Sequence, residues 1–86
     1  MIHIVYKSLF LREFGKLPVA LQAEAKEKIA LFRNDPRNPS LRTHELGGKF
    51  KGFFSFSVNY KYRIVFLFES KQKATFISIG DHDVYK

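Results

Sequence analysis

The sequence predicts an α+β domain of order β-α-α-β-β-β, a mostly antiparallel sheet with a two-helix hairpin packed on one face. Three observations carry this. Residues 52–68, GFFSFSVNYKYRIVFLF, alternate with period two. Two segments before them repeat with helical period, and a further apolar run follows them. The 86 residues, 45% of them hydrophobic and none cysteine, suffice for one core without disulfide or cysteine-held zinc, so residues 1–86 read as a single domain.

The central stretch sets its own register. Phe54, Phe56, Val58, Tyr60, Tyr62, Ile64, Phe66 and Phe68 are even; Ser55, Ser57, Asn59, Lys61, Arg63 and Glu69 are odd. A strand alternates faces, so the ribbon has an apolar and a polar side. It is too long for one strand, and Asn59-Tyr60-Lys61 is a turn candidate. A two-residue loop would set even positions against odd ones. An odd loop sets Val58 against Tyr62, Phe56 against Ile64 and Phe54 against Phe66, and keeps the apolar side whole. Arg63 then lies on the polar face opposite Ser57.

Upstream, Ile2, Ile4 and Tyr6 alternate as a short strand expected to join the free edge of the last one. Ser8 suits the cap of a first helix whose Phe10, Phe14 and Leu17 face the sheet, with Arg12, Glu13 and Lys16 on the wet side. Gly15 and Pro18 break it. Pro18 suits the first turn of a second helix, with the stripe Leu21, Ala25, Ile29 and Phe32 and a supporting Glu24–Lys28 pair. Asn34-Asp35-Pro36 ends it. Residues 35–52 read as a long loop pegged by Leu41 and Leu46, and long loops in small domains are usually functional. Ser70-Lys71-Gln72 turns into a last strand over residues 74–79. Gly80 then opens a tail, Asp81-His82-Asp83-Val84-Tyr85-Lys86, and the polar sheet face is expected to stay open.

The formal net charge is +7, and six basic residues stand against Glu45 alone between positions 37 and 63. Such a surface points to a polyanionic partner. The plainer reading is a solvated, solubilising face. The first residues lack the basic start and apolar run of a secretory leader. No stretch approaches the ~20 apolar residues of a membrane span, so no membrane partner is expected, and the absence of cysteine fits a reducing cytoplasm.

Several side chains could carry chemistry. His82 sits between two carboxylates with Tyr85 three residues on, and histidine is a common general acid or base. His44 lies in the basic loop. Arg63 is a fixed cation suited to a phosphate oxygen. Each has a plainer role: an exposed tail residue for His82, an apolar plug for Tyr85, a partner of Glu69 or Glu45 for Arg63. His44, His82, Asp81 and Asp83 lack metal-ligand spacing, so no metal is expected.

Leu41 to Phe66, with Thr43-His44, Gly48-Lys49, Lys51-Gly52 and Val58-Asn59-Tyr60 before Tyr62-Arg63-Ile64-Val65-Phe66, followed by Ile79-Gly80-Asp81-His82-Asp83-Val84-Tyr85, resembles the RelE/ParE superfamily of bacterial type II toxins. The element order agrees over essentially the whole chain. The resemblance implies a RelE/ParE-like fold and neutralisation by a cognate, acidic antitoxin. In the RelE and YafQ-like branches it implies cofactor-free, metal-independent cleavage of mRNA in the ribosomal A site. In the ParE branch it implies inhibition of DNA gyrase.

Residue by residue, Arg63 matches the strand arginine at the scissile phosphate, and His82 the C-terminal histidine of the YafQ- and YoeB-like toxins. Tyr85 matches the C-terminal tyrosine of RelE, and His44 the loop histidine of YafQ-like toxins. The catalytic candidates are therefore His82, Arg63, Tyr85 and His44, with Lys49, Lys51, Lys61 and Arg42 as RNA-binding candidates. Ser55 and Ser57 fall where RelE has strand lysines and YafQ a histidine, which leaves the second acid–base group without a strand residue. A gyrase inhibitor, or a non-toxic relic that only binds an antitoxin, are the alternatives.

Overall fold

The computed structural model describes residues 1–81. In chain order these form β1 (His3–Tyr6), α1 (Ser8–Gly15), α2 (Val19–Asn34), β2 (His44–Glu45), β3 (Phe54–Ser57), β4 (Tyr62–Ser70) and β5 (Lys73–Asp81), with short 3-10 turns at Pro39–Leu41 and Gly48–Phe50. The sheet order is β1-β5-β4-β3-β2. All pairs are antiparallel except β1 with β5, which is parallel and joins Ile4 to Ala74. This is the expected α+β architecture, enlarged by the two-residue strand β2.

The hairpin register is the one parity dictates. Phe54 pairs with Phe66, Phe56 with Ile64 and Ser57 with Arg63. The Val58 amide donates to the Tyr62 carbonyl at 2.9 Å, which leaves the three-residue loop Asn59–Lys61. Phe56, Ile64, Phe66, Phe76 and Ile79 face the helices and bury Phe10, Ala25, Ile29 and Phe32 beneath them. Phe32 is the centre of this layer: its ring stacks on Phe56 at 4.8 Å and meets Phe66 and Phe76 edge-on. Arg37 lies over Phe54 and Phe68, closing one end of the core with a cation on aromatic faces.

Several local expectations are corrected. Ser8 is the first residue of α1 rather than its cap, and Pro18 is the cap position of α2. Neither helix has a side-chain cap. Instead Gln22 of α2 donates its amide to the Phe14 and Leu17 carbonyls, satisfying the end of α1. Glu13 is not on a solvated face: its carboxylate accepts the Ile79 amide at 3.1 Å, covering the length of β5 that extends past the four residues of β1. β5 runs to Asp81, opposite Tyr62, so the predicted tail begins later than Gly80. Leu41 and Leu46 are buried, as the peg reading requires.

The second sheet face is not open along its length. Ser55 is fully buried and Ser57, Val65, Thr75 and Ser78 nearly so. Phe50 and Phe53, from the loop after β2, share a shallow hollow of about 220 Å³ with Val65, Ile77, Ser78 and the α1 residues Leu9 and Glu13. Polarity at these positions did not mean exposure. Among the described residues, no helix is long and apolar enough to cross a membrane.

Candidate functional site

Where that cover ends, a pocket of about 250 Å³ opens at the end of the β3–β4 hairpin. Its walls come from three places. Ser57, Val58, Asn59, Tyr60 and Arg63 belong to the hairpin, Lys28 to α2, and Ser40 and Arg42 to the 3-10 turn after α2 and the residue closing it.

Local hydrogen bonds hold each wall. The Asn59 carbonyl oxygen accepts from the amides of Lys61 and Tyr62 at 2.9 and 2.8 Å, an arrangement that lets one side chain shape a turn. Its amide nitrogen donates to Glu24 on α2 at 2.9 Å, tying the hairpin tip to the helix. On the opposite wall, Asn38 accepts from the Ser40 amide and hydroxyl. Thr43 donates to the Pro36 carbonyl, and His44 Nδ1 lies 2.8 Å from the Arg42 carbonyl. These contacts hold Arg42 at φ 53°, where it is the one non-glycine residue with positive φ among those described. A non-glycine residue there is strained, and such strain persists only where the surroundings enforce it.

The pocket is cationic, and no described residue neutralises it. Lys28, Arg42 and Arg63 line it together, and among the described residues the single ion pair is Lys61–Asp81 at 3.9 Å. The carboxylates able to approach are engaged elsewhere. Glu24 holds Asn59 rather than the expected Lys28. Glu45 accepts the Gly52 amide, and Glu69 accepts the Thr75 hydroxyl, so neither serves Arg63. Two buried polar atoms on the wall, Arg63 Nε and Ser57 Oγ, have no hydrogen-bond partner among the described residues. Such atoms cost free energy unless something enters to satisfy them. Three cations around one opening are complementary to an oxyanion.

Comparison with known proteins bears on the fold. No family model and no curated relative matches the chain. Solved structures do. A mutant toxin from Helicobacter pylori is 21% identical with TM-score 0.74, and all of both chains is covered. A YoeB/ParE toxin from Agrobacterium tumefaciens is 16% identical with TM-score 0.75, covering 95% of this chain and 99% of that one. YafQ in the Escherichia coli DinJ–YafQ toxin–antitoxin complex is 16% identical with TM-score 0.74, covering 99% of this chain and 98% of that one.

The chain has the RelE/ParE toxin fold.

Within this RelE/ParE fold the sequence-predicted site residues divide. Arg63 and Arg42 come together in the pocket. His44 does not line it: it sits exposed on edge strand β2, opposite Ser55. Lys49 and Lys51 are exposed on and beside the second 3-10 turn, away from the pocket lining, and Lys49 lies over the Phe50 ring. Lys61 is spent on Asp81. His82 and Tyr85 lie outside the described residues; Asp81, the last of those, pairs with Tyr62 one step from Arg63–Gly80.

Sequence reasoning missed Lys28, Ser40 and Tyr60 as pocket residues. For Lys28 a signal existed. It stands seven residues after Leu21 and three after Ala25, at the margin of the apolar stripe, where a lysine is half-buried. For Tyr60 the signal was the odd loop itself: its middle residue belongs to neither face, so an aromatic there is left in solvent.

Proposed function

We propose that this chain is the toxin of a type II toxin–antitoxin pair and that it cleaves mRNA on the ribosome. The observation that carries the reading is the pocket holding Arg63 and Arg42 with no carboxylate counter-ion among the described residues. The likeness to solved toxins, one of them bound to its antitoxin, supports the biological setting.

In this mechanism the Arg63 guanidinium donates to the non-bridging oxygens of the scissile phosphate, and Arg42 offsets its charge. The RNA's 2′-hydroxyl attacks phosphorus and gives up its proton. The 5′-oxygen leaves and takes up a proton, so the products are a 2′,3′-cyclic phosphate and a 5′-hydroxyl. Positive charge already fixed around the phosphate favours the more highly charged pentacoordinate transition state over the ground state. His82 is the proton-transfer group that the resemblance supplies, with Tyr85 orienting the substrate. Lys49 and Lys51 hold flanking phosphates outside the pocket. An acidic antitoxin that covers the basic pocket and loop would silence the protein.

The test is induction of the wild type and of Arg63→Met in cells, followed by mapping of mRNA 5′ ends on ribosomes. New 5′-hydroxyl ends within codons, seen with the wild type and absent with Arg63→Met, are expected. Toxicity without new ends would refute the nuclease reading. Accumulation of gyrase–DNA cleavage complexes in its place would assign the protein to the ParE-like class, which the serines at 55 and 57 favour.

A further inference from the structure

Tyr60 is 90% exposed, the most exposed large hydrophobic side chain among the described residues, ahead of Met1 at 87%. It buries almost nothing and so adds almost nothing to the fold, yet it stands on the rim of the cationic pocket. Its loop is not loose: Asn59 fixes the turn through three side-chain hydrogen bonds, one of them to α2. An aromatic side chain carried into water on a hydrogen-bonded turn, next to cations that no described residue neutralises, matches the two needs of single-stranded nucleic-acid binding: a stacking platform and a charged groove for the backbone. The pocket is also larger than one phosphate, whose five heavy atoms fill only part of about 250 Å³.

We infer that Tyr60 and Lys28 extend the phosphate pocket into a subsite for a whole nucleotide. This inference rests on the reading of the pocket as a phosphate site. Tyr60 stacks on the base of the nucleotide adjoining the phosphate at Arg63. Lys28, which is half-buried on α2 and whose expected partner Glu24 is held by Asn59, contacts the next phosphate along the strand. The ligand must be single-stranded, because a base in a duplex does not offer its face to a side chain. The stacking is tolerant of base identity, since every base has a π-face.

The probe is a short oligoribonucleotide with 2′-O-methyl groups to prevent cleavage and 2-aminopurine as one base, titrated into the free full-length protein. Stacking quenches 2-aminopurine fluorescence. The wild type is expected to bind and quench. Tyr60→Phe keeps both properties, and Tyr60→Leu loses the quench and binds on the order of tenfold more weakly. Lys28→Gln keeps the quench and lowers the slope of log K against log salt by about 0.7, the value for one phosphate contact on a single strand. Full quench and affinity in Tyr60→Leu would overturn the inference while leaving the phosphate pocket standing. Loss of antitoxin binding in Tyr60→Leu, with RNA binding unchanged, would overturn it in favour of a protein contact. Failure of the wild type to bind the probe in an Arg63-dependent manner would remove both readings together.

Discussion

Arg63→Met is expected to stabilise the fold while abolishing its function. Lys28, Arg42 and Arg63 line one pocket of about 250 Å³ without a carboxylate among the described residues. Two unit charges facing each other across a sphere of that volume, roughly 8 Å wide, repel by about 0.5 kcal/mol at the dielectric constant of water and about 2 kcal/mol at an effective value near 20. The pocket opens to solvent, so the relief from removing one charge lies toward the lower end for each neighbour. The unpartnered Nε adds a contribution of the same sign, because a buried donor left unsatisfied costs about 1–3 kcal/mol. Methionine keeps much of the apolar stem. A net gain of about 1 kcal/mol raises the Tm of a domain of this size by about 4–8 °C. The assay is thermal unfolding in low-salt buffer with and without phosphate. At phosphate tenfold above its Kd, the wild type gains about 1.4 kcal/mol by mass action and the variant gains far less, so the two curves converge. A variant less stable than the wild type in phosphate-free buffer, or equal protection of both by phosphate, would refute the reasoning.

Four further outcomes are expected. Phe56→Ala, at a fully buried ring stacked on Phe32, should cost about 3–5 kcal/mol in urea denaturation. Glu13→Ala should cost about 1 kcal/mol and speed hydrogen exchange at the Ile79 amide more than at its neighbours, since that amide loses its acceptor. His82→Ala should lower RNA cleavage by ~10²–10⁴-fold with antitoxin binding retained, the loss typical of a general acid or base; unchanged cleavage would remove His82 from the mechanism. Antitoxin association, followed by stopped flow, should slow markedly as salt rises, because encounter steered by charge is screened.

The legible and illegible parts of this chain differ in how many constraints act on each position. The hairpin register was readable because period two and a single buried face leave one solution, and Phe56–Ile64 and Ser57–Arg63 follow from it. The helix stripes were readable for the same reason. The fate of the second face was not. Parity assigns Ser55 and Ser57 to a side, but it is silent about Phe50 and Phe53 folding across that side from a loop. Strand β2 is two residues long and exists only because β3 offers an edge, so no local pattern announces it. At the site, Arg63 was legible from its register. Lys28 was read as the partner of Glu24, a choice that a side chain 35 residues away, Asn59, reverses by taking the carboxylate first.

The parallel pairing of β1 with β5 joins residues 3–6 to residues 73–76, nearly the full span of the chain. An edge strand whose partner lies 70 residues further along the chain, as His3 and Lys73 do, cannot pair until that partner has been made, and the helices likewise lack their cover. Phe32 needs Phe56, Phe66 and Phe76 to cover it. At elongation rates of ~5–20 residues per second, the 44 residues between Phe32 and Phe76 take roughly 2–9 s to appear. During that interval the nascent chain presents an unpaired apolar helical hairpin and no assembled cationic pocket. The topology therefore delays the appearance of the active surface until the last strand has emerged, and the slow step in reaching it is the closing of one long loop rather than the formation of any single element.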